Sequence, residues 1–297
     1  MINQYNTRFD RGCGPVRSVI NLSQVLAIIL LLEMITGCSP NDSKPIPAGI
    51  KDFRATIVTP DGALLEWTAP DEVDGAEPGY YKMCYSTTPL KTGEDWIKAE
   101  PIDDPPIPLA PGTRQKYGLT GLEPGTNYWV GIYVVGRNHL HSEYYRSAAI
   151  TTGDTTTLGD YTLIDIDDSS HSSGEWLGHR LVLLNFWGVW CHYCVEEIPD
   201  LIQLHDTYAD SDVVLIGLDW GDDNPNLKYF VTTNDMAWLN VFAVREILMQ
   251  YQIPGYPTTI FLGPDGREVG RRVGKGSFDT YQSAVEYLLE KVEPPAQ

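Results

Sequence analysis

Phe186-Trp187-Gly188-Val189-Trp190-Cys191-His192-Tyr193-Cys194 is the stretch from which the fold is read. It follows the apolar run 181–184, which predicts a buried strand. It precedes Val195-Glu196-Glu197-Ile198-Pro199, which opens a segment with helical spacing. Two cysteines three residues apart, where a strand passes into a helix, lie within disulfide reach of each other. Free N–H groups and the positive end of the helix macrodipole stabilise a thiolate there. A Cys-x-x-Cys pair also reads as half of a zinc site or as a structural staple. A four-ligand zinc site needs a second pair, and the sequence has none. Redox chemistry is the expected use, with no metal and no cofactor.

Around this stretch strands and helices alternate, the pattern of an α/β architecture. Residues 161–166, 181–186 and 213–218 predict strands; 196–208, 227–232 and 244–251 predict helices, the first kinked by Pro199. Residues 258–262 and 268–273 predict a hairpin across Pro264-Asp265-Gly266, and 277–292 an amphipathic helix with Ser277 as its N-cap. Asp219-Trp220-Gly221-Asp222-Asp223 follows a strand end and reads as a loop. His171, His179 and His205 are scattered and read as structural or surface residues.

Trp190-Cys191-x-x-Cys194 after an apolar strand, with Gly255-Tyr256-Pro257-Thr258-Thr259 before another, resembles the thioredoxin family. Leu183-Leu184-Asn185-Phe186-Trp187, Glu197-Ile198-Pro199 and the Pro264-Asp265-Gly266-Arg267 turn resemble its exported TlpA/ResA-like branch, over residues 158–293. The resemblance implies a thiol–disulfide oxidoreductase. Cys191, nearer the helix terminus and the surface, is the expected attacking thiolate. Cys194, one turn deeper, is the expected resolving thiol, which desolvation leaves in need of help to lose its proton. Glu197, three residues beyond Cys194 on the same helical face, is the acid associated with tuning the cysteines. Pro257 matches the cis-proline that sits opposite the disulfide and aligns a partner's backbone, and Trp190 matches the tryptophan packed beside the cysteines. Glu196, on another face, reads as a solvated first-turn carboxylate. His192 as a cation would favour the Cys191 thiolate, yet the helix dipole disfavours that cation. The direction of electron flow, reductant or oxidant and isomerase, stays open.

Upstream, residues 50–152 show only strands and turns. Short aromatic and β-branched runs at 64–67, 80–85 and 128–134 are separated by Gly and Pro clusters, which predicts a β-sandwich. Trp67, the alternation Tyr81-Met83-Tyr85 and Leu122-Glu123-Pro124-Gly125-Thr126-Asn127-Tyr128 resemble a fibronectin type III domain. In that family the last motif is a tyrosine corner, which makes Tyr128 a core residue bonding back to the backbone. No cysteine pair brackets Trp67 in the immunoglobulin manner. Cys84 falls out of phase with Met83 and Tyr85 and is expected to face away from the sandwich core. Asp71-Glu72-Val73-Asp74-Gly75 lacks the spacing of a cation loop and reads as solvated. Gly153-Asp154-Thr155-Thr156-Thr157 is a polar junction. The expected fold is therefore multidomain, an all-β fibronectin type III-like sandwich followed by an α/β thioredoxin fold.

The first 37 residues are not domain material. Arg8, Arg11 and Arg17 precede the uncharged stretch 18–32, which Glu33 interrupts short of the ~18–20 apolar residues of a membrane-spanning helix. Ile35-Thr36-Gly37-Cys38 resembles the lipobox of bacterial lipoproteins. That resemblance implies a signal peptide over 1–37, a lipidated Cys38, and a Pro-rich tether over 38–49. Ser39 after the lipidated position favours the outer membrane in Gram-negative sorting. The expected location is the cell envelope, lipid-anchored on the periplasmic side or at the cell surface. A formal charge of −19, with no basic clusters, disfavours nucleic acid. Expected partners are protein thiols and disulfides in the cell envelope and a membrane-bound electron donor. The alternative is an adhesion or carbohydrate-binding lipoprotein in which the thioredoxin-like region is a scaffold.

Overall fold

The computed structural model describes residues 45–72, 76–142, 145–153 and 156–292. The leader, Cys38 and the first part of the tether lie outside these residues, as do 73–75 of the acidic loop and 154–155 of the junction. Among the described residues no helix is long and apolar enough to cross a membrane.

In the N-terminal region the aromatic runs become β1 (Arg54–Thr59), β2 (Gly62–Thr68), β3 (Pro78–Ser86), β4 (Glu100–Pro101), β5 (Arg114–Leu119), β6 (Asn127–Gly136) and β7 (Arg146–Thr151). A short helix, α1 (Gly93–Lys98), interrupts them where the sequence predicts none. It is too short to display a helical period. Local chemistry holds it: the Thr92 hydroxyl accepts the Asp95 N–H, and the Asp95 carboxylate accepts the Thr92 N–H. Strands β4-β3-β6-β7 form one sheet, and β1, β2 and β5 belong to another. Trp67, Tyr81, Met83, Val130 and Ile132 bury together in one core. The Trp67 and Tyr81 rings meet edge-on at 5.2 Å, and the Tyr81 hydroxyl donates to Gln115. Tyr128 is buried and its hydroxyl accepts the Glu123 N–H at 3.2 Å. Cys84 stands outside that core but is not exposed. Helix α1 covers its side of the sheet, with the Trp96 ring over Gly131, the residue paired with Cys84; a Cβ on Gly131 would run into that ring. Burial pushes the Cys84 thiol up to about 11. The end of the expected tether lies along this region, with Pro47 buried and the Pro45 carbonyl accepting from Asn138 at 2.7 Å.

The C-terminal region continues with β8 (Thr162–Ile164), β9 (Ser170–Ser172), β10 (Leu181–Trp187), α2 (His192–Tyr208), β11 (Val213–Asp219), α3 (Asn224–Thr233), β12 (Leu239–Phe242), α4 (Arg245–Gln250), β13 (Thr258–Leu262), β14 (Glu268–Val273) and α5 (Phe278–Lys291). Strands β12, β11 and β10 are parallel; β13 and β14 are antiparallel to their neighbours. Strand β10 is central and buried at every residue, which is why its sequence is a continuous apolar run rather than an alternation. Leu201 of α2, Leu227 of α3 and Leu288 of α5 pack with Leu183 on one face. Leu163 of β8, Trp176 and Ile247 of α4 pack with Leu184 on the other. Pro199 lies within α2, and the Ser277 hydroxyl caps α5 by accepting the Thr280 N–H.

The sheet does not end at β14. Strand β1 pairs antiparallel with it, Val58 opposite Arg271, so that one eight-stranded sheet runs β12-β11-β10-β13-β14-β1-β2-β5 across both regions. Alternation along β1 and β2 divides their side chains between two cores. Leu65 and Trp67 face the sandwich, whereas Ile57 and Leu64 bury with Leu183, Tyr281 and Leu288.

Candidate redox site

Helix α2 starts at the motif. Cys191 is its N-cap and Cys194 lies in its first turn, and the two form a disulfide with their Cα atoms 5.2 Å apart. The Cys191 sulfur accepts the Cys194 N–H at 3.2 Å, and the first turn contains no acidic residue to compete for the positive end of the helix. Cys191 is 7% exposed and Cys194 1%, so an incoming group reaches Cys191 first. Trp190 and Tyr193 beside it are more than half exposed.

Three contacts frame the loop 187–190. The Trp220 N–H donates to the Trp187 carbonyl at 3.0 Å, the Trp190 indole N–H to the Trp220 carbonyl at 2.7 Å, and the Val189 N–H to the Asp222 carboxylate at 2.7 Å. Trp190 also meets Tyr256 edge-on at 5.3 Å, which ties the loop to the segment carrying Pro257. The Tyr256–Pro257 bond is cis, and the Pro257 carbonyl accepts the Gly274 N–H.

Glu197 is fully buried on the inward face of α2, one turn beyond Cys194. Its carboxyl accepts from the Asn185 amide at 3.1 Å, the Gly276 N–H at 3.0 Å and the Tyr281 hydroxyl at 3.0 Å. Asn185 also donates to the Thr259 hydroxyl, which shares a hydrogen bond with Tyr281. Burial nevertheless outweighs these donors and pushes the carboxyl up from 4.5 to about 7. Glu196 behaves oppositely. It is paired with Lys275 at 2.8 Å and with His192 at 2.9 Å, and the Lys275 hydrogen bond holds its carboxyl below the usual range. His171 and His179 pair with Asp165 and Asp212, and His205 packs beside Trp238.

The stretch read as a plain loop is more than that at its first residue. Asp219 ends β11 opposite Trp187 and is 1% exposed. One of its oxygens accepts the Asp222 N–H at 3.3 Å, and the other has no hydrogen-bond partner. Burial, then the neighbouring Asp222 carboxyl, pushes it up to about 8. The signal was in the sequence: a carboxylate at the last register position of a buried strand, beside the strand that feeds the cysteines. Asn185, Tyr281 and Thr259 were likewise unassigned, because their roles exist only once two strands and two helices have met.

A parallel-antiparallel sheet with the cysteine pair at the end of its central strand defines a thioredoxin fold in the C-terminal region, joined to a large additional sheet-rich region. Within the C-terminal region residues 178–268 match the thioredoxin-like family. Over 114 residues the chain is 29% identical to the thiol-disulfide oxidoreductase ResA of Bacillus cereus (strain ZK / E33L), covering 38% of this chain and 64% of that protein. It is 26% identical over 152 residues to ResA of Geobacillus thermodenitrificans (strain NG80-2), covering 51% of this chain and 83% of the relative. The chain thus spans just under two thirds of the length of the Bacillus relative. A thiol:disulfide interchange protein of the thioredoxin family from Chlorobium tepidum TLS superposes with a TM-score of 0.42 at 23% identity, over 47% of this chain and 99% of that one.

Proposed function

We propose that the chain is an exported, membrane-tethered thiol–disulfide oxidoreductase that reduces disulfides of partner proteins in the cell envelope. The observation that carries this reading is the Cys191–Cys194 pair at the start of α2, with the buried Glu197 carboxyl one turn below it. In the dithiol form, the Cys191 thiolate attacks one sulfur of a partner disulfide and expels the other as a thiolate. Glu197, whose carboxyl burial pushes up to about 7, takes the proton of Cys194. The Cys194 thiolate then attacks the Cys191 sulfur and expels the partner's second thiolate. Two electrons have passed to the partner, and Cys191–Cys194 is left oxidised. A membrane-bound donor of two electrons resets it. The exposed Trp190, Tyr193 and Trp220 around Cys191 suit a protein partner. Pro257 would align that partner's backbone, as the family resemblance implies.

The leader motif supports export, a lipid on Cys38 and the outer membrane as destination. The N-terminal region is read as a fibronectin type III-like domain on Trp67 and the Tyr128 hydrogen bond to Glu123. A binding role for that region has one support, a cavity of about 760 Å³ walled by Trp96, Tyr133 and Tyr145. The exchange reading is tested by insulin-disulfide reduction and by capture on Cys194→Ala, which retains the nucleophile and cannot release a partner. Unchanged turnover by Cys191→Ser, with no mixed disulfides on Cys194→Ala, would sink it.

A further inference from the structure

Arg272 on β14 lies directly across from Thr259, and Thr259 lies directly across from Asn185. Residues opposite one another in antiparallel strands send their side chains to the same face. Asn185, Thr259 and Arg272 therefore make one polar row across three strands, on the face where Asn185 and Thr259 meet Glu197 and Tyr281. The guanidinium is not held by the C-terminal region alone. Its Nη1 donates to the Thr56 carbonyl of β1 at 2.9 Å, its Nη2 to the Lys275 carbonyl at 2.5 Å, and its Nε–H has no hydrogen-bond partner. Beyond Thr56 stands Glu66 of β2, buried and paired with Arg114 at 3.1 Å and Arg54 at 3.5 Å. Both Glu197 and Glu66 act on the Arg272 charge, and Arg272 favours the ionised form of Glu197. A band of alternating charge thus leads from the disulfide side of the sheet into the N-terminal region.

We propose that Arg272 is a positioning residue of the redox site, through which the N-terminal β-rich region sets the protonation of Glu197. The proposal rests on the thiol–disulfide reading of that site. Glu197 is faced by Cys194 from its own helix, Tyr281 from α5, and Arg272 and Lys275 from β14 and the turn after it. Lys275 is exposed and bound to Glu196, which leaves Arg272 as the inward cation. A backbone carbonyl of β1 fixes where that cation sits. The N-terminal region is then a part of the exchange machinery and more than a spacer.

The test uses the full chain. The Glu197 carboxyl is titrated by NMR of its side-chain carbon, beside the pH profile of insulin-disulfide reduction. Arg272→Met is expected to raise the Glu197 midpoint, since it removes a charge that favours the ionised form, and to carry the activity profile with it. Arg272→Lys keeps the charge and is expected to leave both near the wild-type position. An unmoved midpoint in folded Arg272→Met overturns the proposal. Should that variant fail to fold, Glu66→Gln is read instead: removing the acid beyond Arg272 is expected to lower the midpoint, and no shift overturns the proposal equally. A midpoint that follows Arg272 in a protein that reduces no disulfide overturns the exchange reading itself, which separates the two failures.

Discussion

Glu197→Gln replaces the buried titrating group by a neutral one of the same shape. In the folded chain the carboxyl sits at about 7 against 4.5 for a free glutamate. Its folded-state value is raised, so the folded chain binds this proton more tightly than the unfolded chain does. Stability from this group is therefore fully present below about 4.5 and is lost as pH rises through about 7. At 1.36 kcal/mol per unit, the loss sums to roughly 3 kcal/mol. The glutamine variant has no such slope. It also has one acceptor oxygen where the carboxylate has two, so Gly276 N–H, Asn185 or the Tyr281 hydroxyl loses a partner. An unsatisfied buried donor costs about 1–3 kcal/mol, which offsets the whole curve without changing its shape. Urea unfolding of the oxidised protein, at several pH values between about 4 and 9, separates the two effects. The other carboxyls titrate in both proteins and cancel in the difference, Asp219 included. The variant is expected to be the less stable protein at acid pH and to gain roughly 3 kcal/mol on the wild type by pH 8. A difference that stays constant across the range would refute the burial argument.

Leu64→Ala, in the N-terminal region, is expected to destabilise the thioredoxin-fold region as well, by about 2–5 kcal/mol in a single transition, because Leu64 packs in the core that contains Leu288 and Tyr281; two separate unfolding transitions, with only one shifted, would contradict this. In the reduced protein Cys84, buried and pushed up to about 11, should alkylate far more slowly at neutral pH than Cys191, as peptide mapping after a timed iodoacetamide pulse would show. Tyr281→Phe removes a donor to the ionised Glu197 and should raise the Glu197 midpoint, read by the same carboxyl-carbon titration. Neutralising the exposed Lys275 should change stability by less than about 1 kcal/mol, checked by urea midpoints in low and high salt.

Much of the C-terminal architecture was legible because its signals are local. An uninterrupted apolar run marks a strand buried on both faces, Ser277 caps its helix through its own hydroxyl, and a turn around Gly266 at φ +74° closes the hairpin. Helix α1 escaped because six residues do not complete two turns. The joining of the two regions escaped for a different reason. Strand β1 lies in the stretch read only as strands and turns, and alternation fixes which residues share a face but not what covers that face. Ile57 and Leu64 satisfy the pattern whether they meet solvent-side cover or the core beneath α5. The cysteines could be picked out from spacing, and the same helical spacing ranked Glu197, on the face of Cys194, above Glu196. What spacing could not supply is how far each carboxyl is buried and what it meets. Glu196 and Glu197 are adjacent and identical in type. Helical spacing separates their faces, but only the packed structure makes one an exposed partner of Lys275 and the other a buried group pushed up to about 7.

That difference explains how a buried acid can change protonation without rebuilding its surroundings. With Glu197 ionised, the Tyr281 hydroxyl donates to it, the Thr259 hydroxyl can donate to Tyr281, and Asn185 donates to both Thr259 and Glu197. With Glu197 protonated, its own O–H can donate to Tyr281, and the Tyr281 hydroxyl turns to donate to Thr259. The 3.0 and 3.1 Å separations on either side of the Tyr281 oxygen suit both arrangements, so no heavy atom needs to move. A carboxyl whose bonds came only from fixed donors, such as the Gly276 N–H, would be locked ionised and could not return a proton. One exposed to water would titrate near 4.5 and hold none at neutral pH. Burial lifts the midpoint and rotatable hydroxyls keep both states bonded. Together they leave a carboxyl that can hold or release a proton near pH 7, which is what the proposed resolving step asks of Glu197.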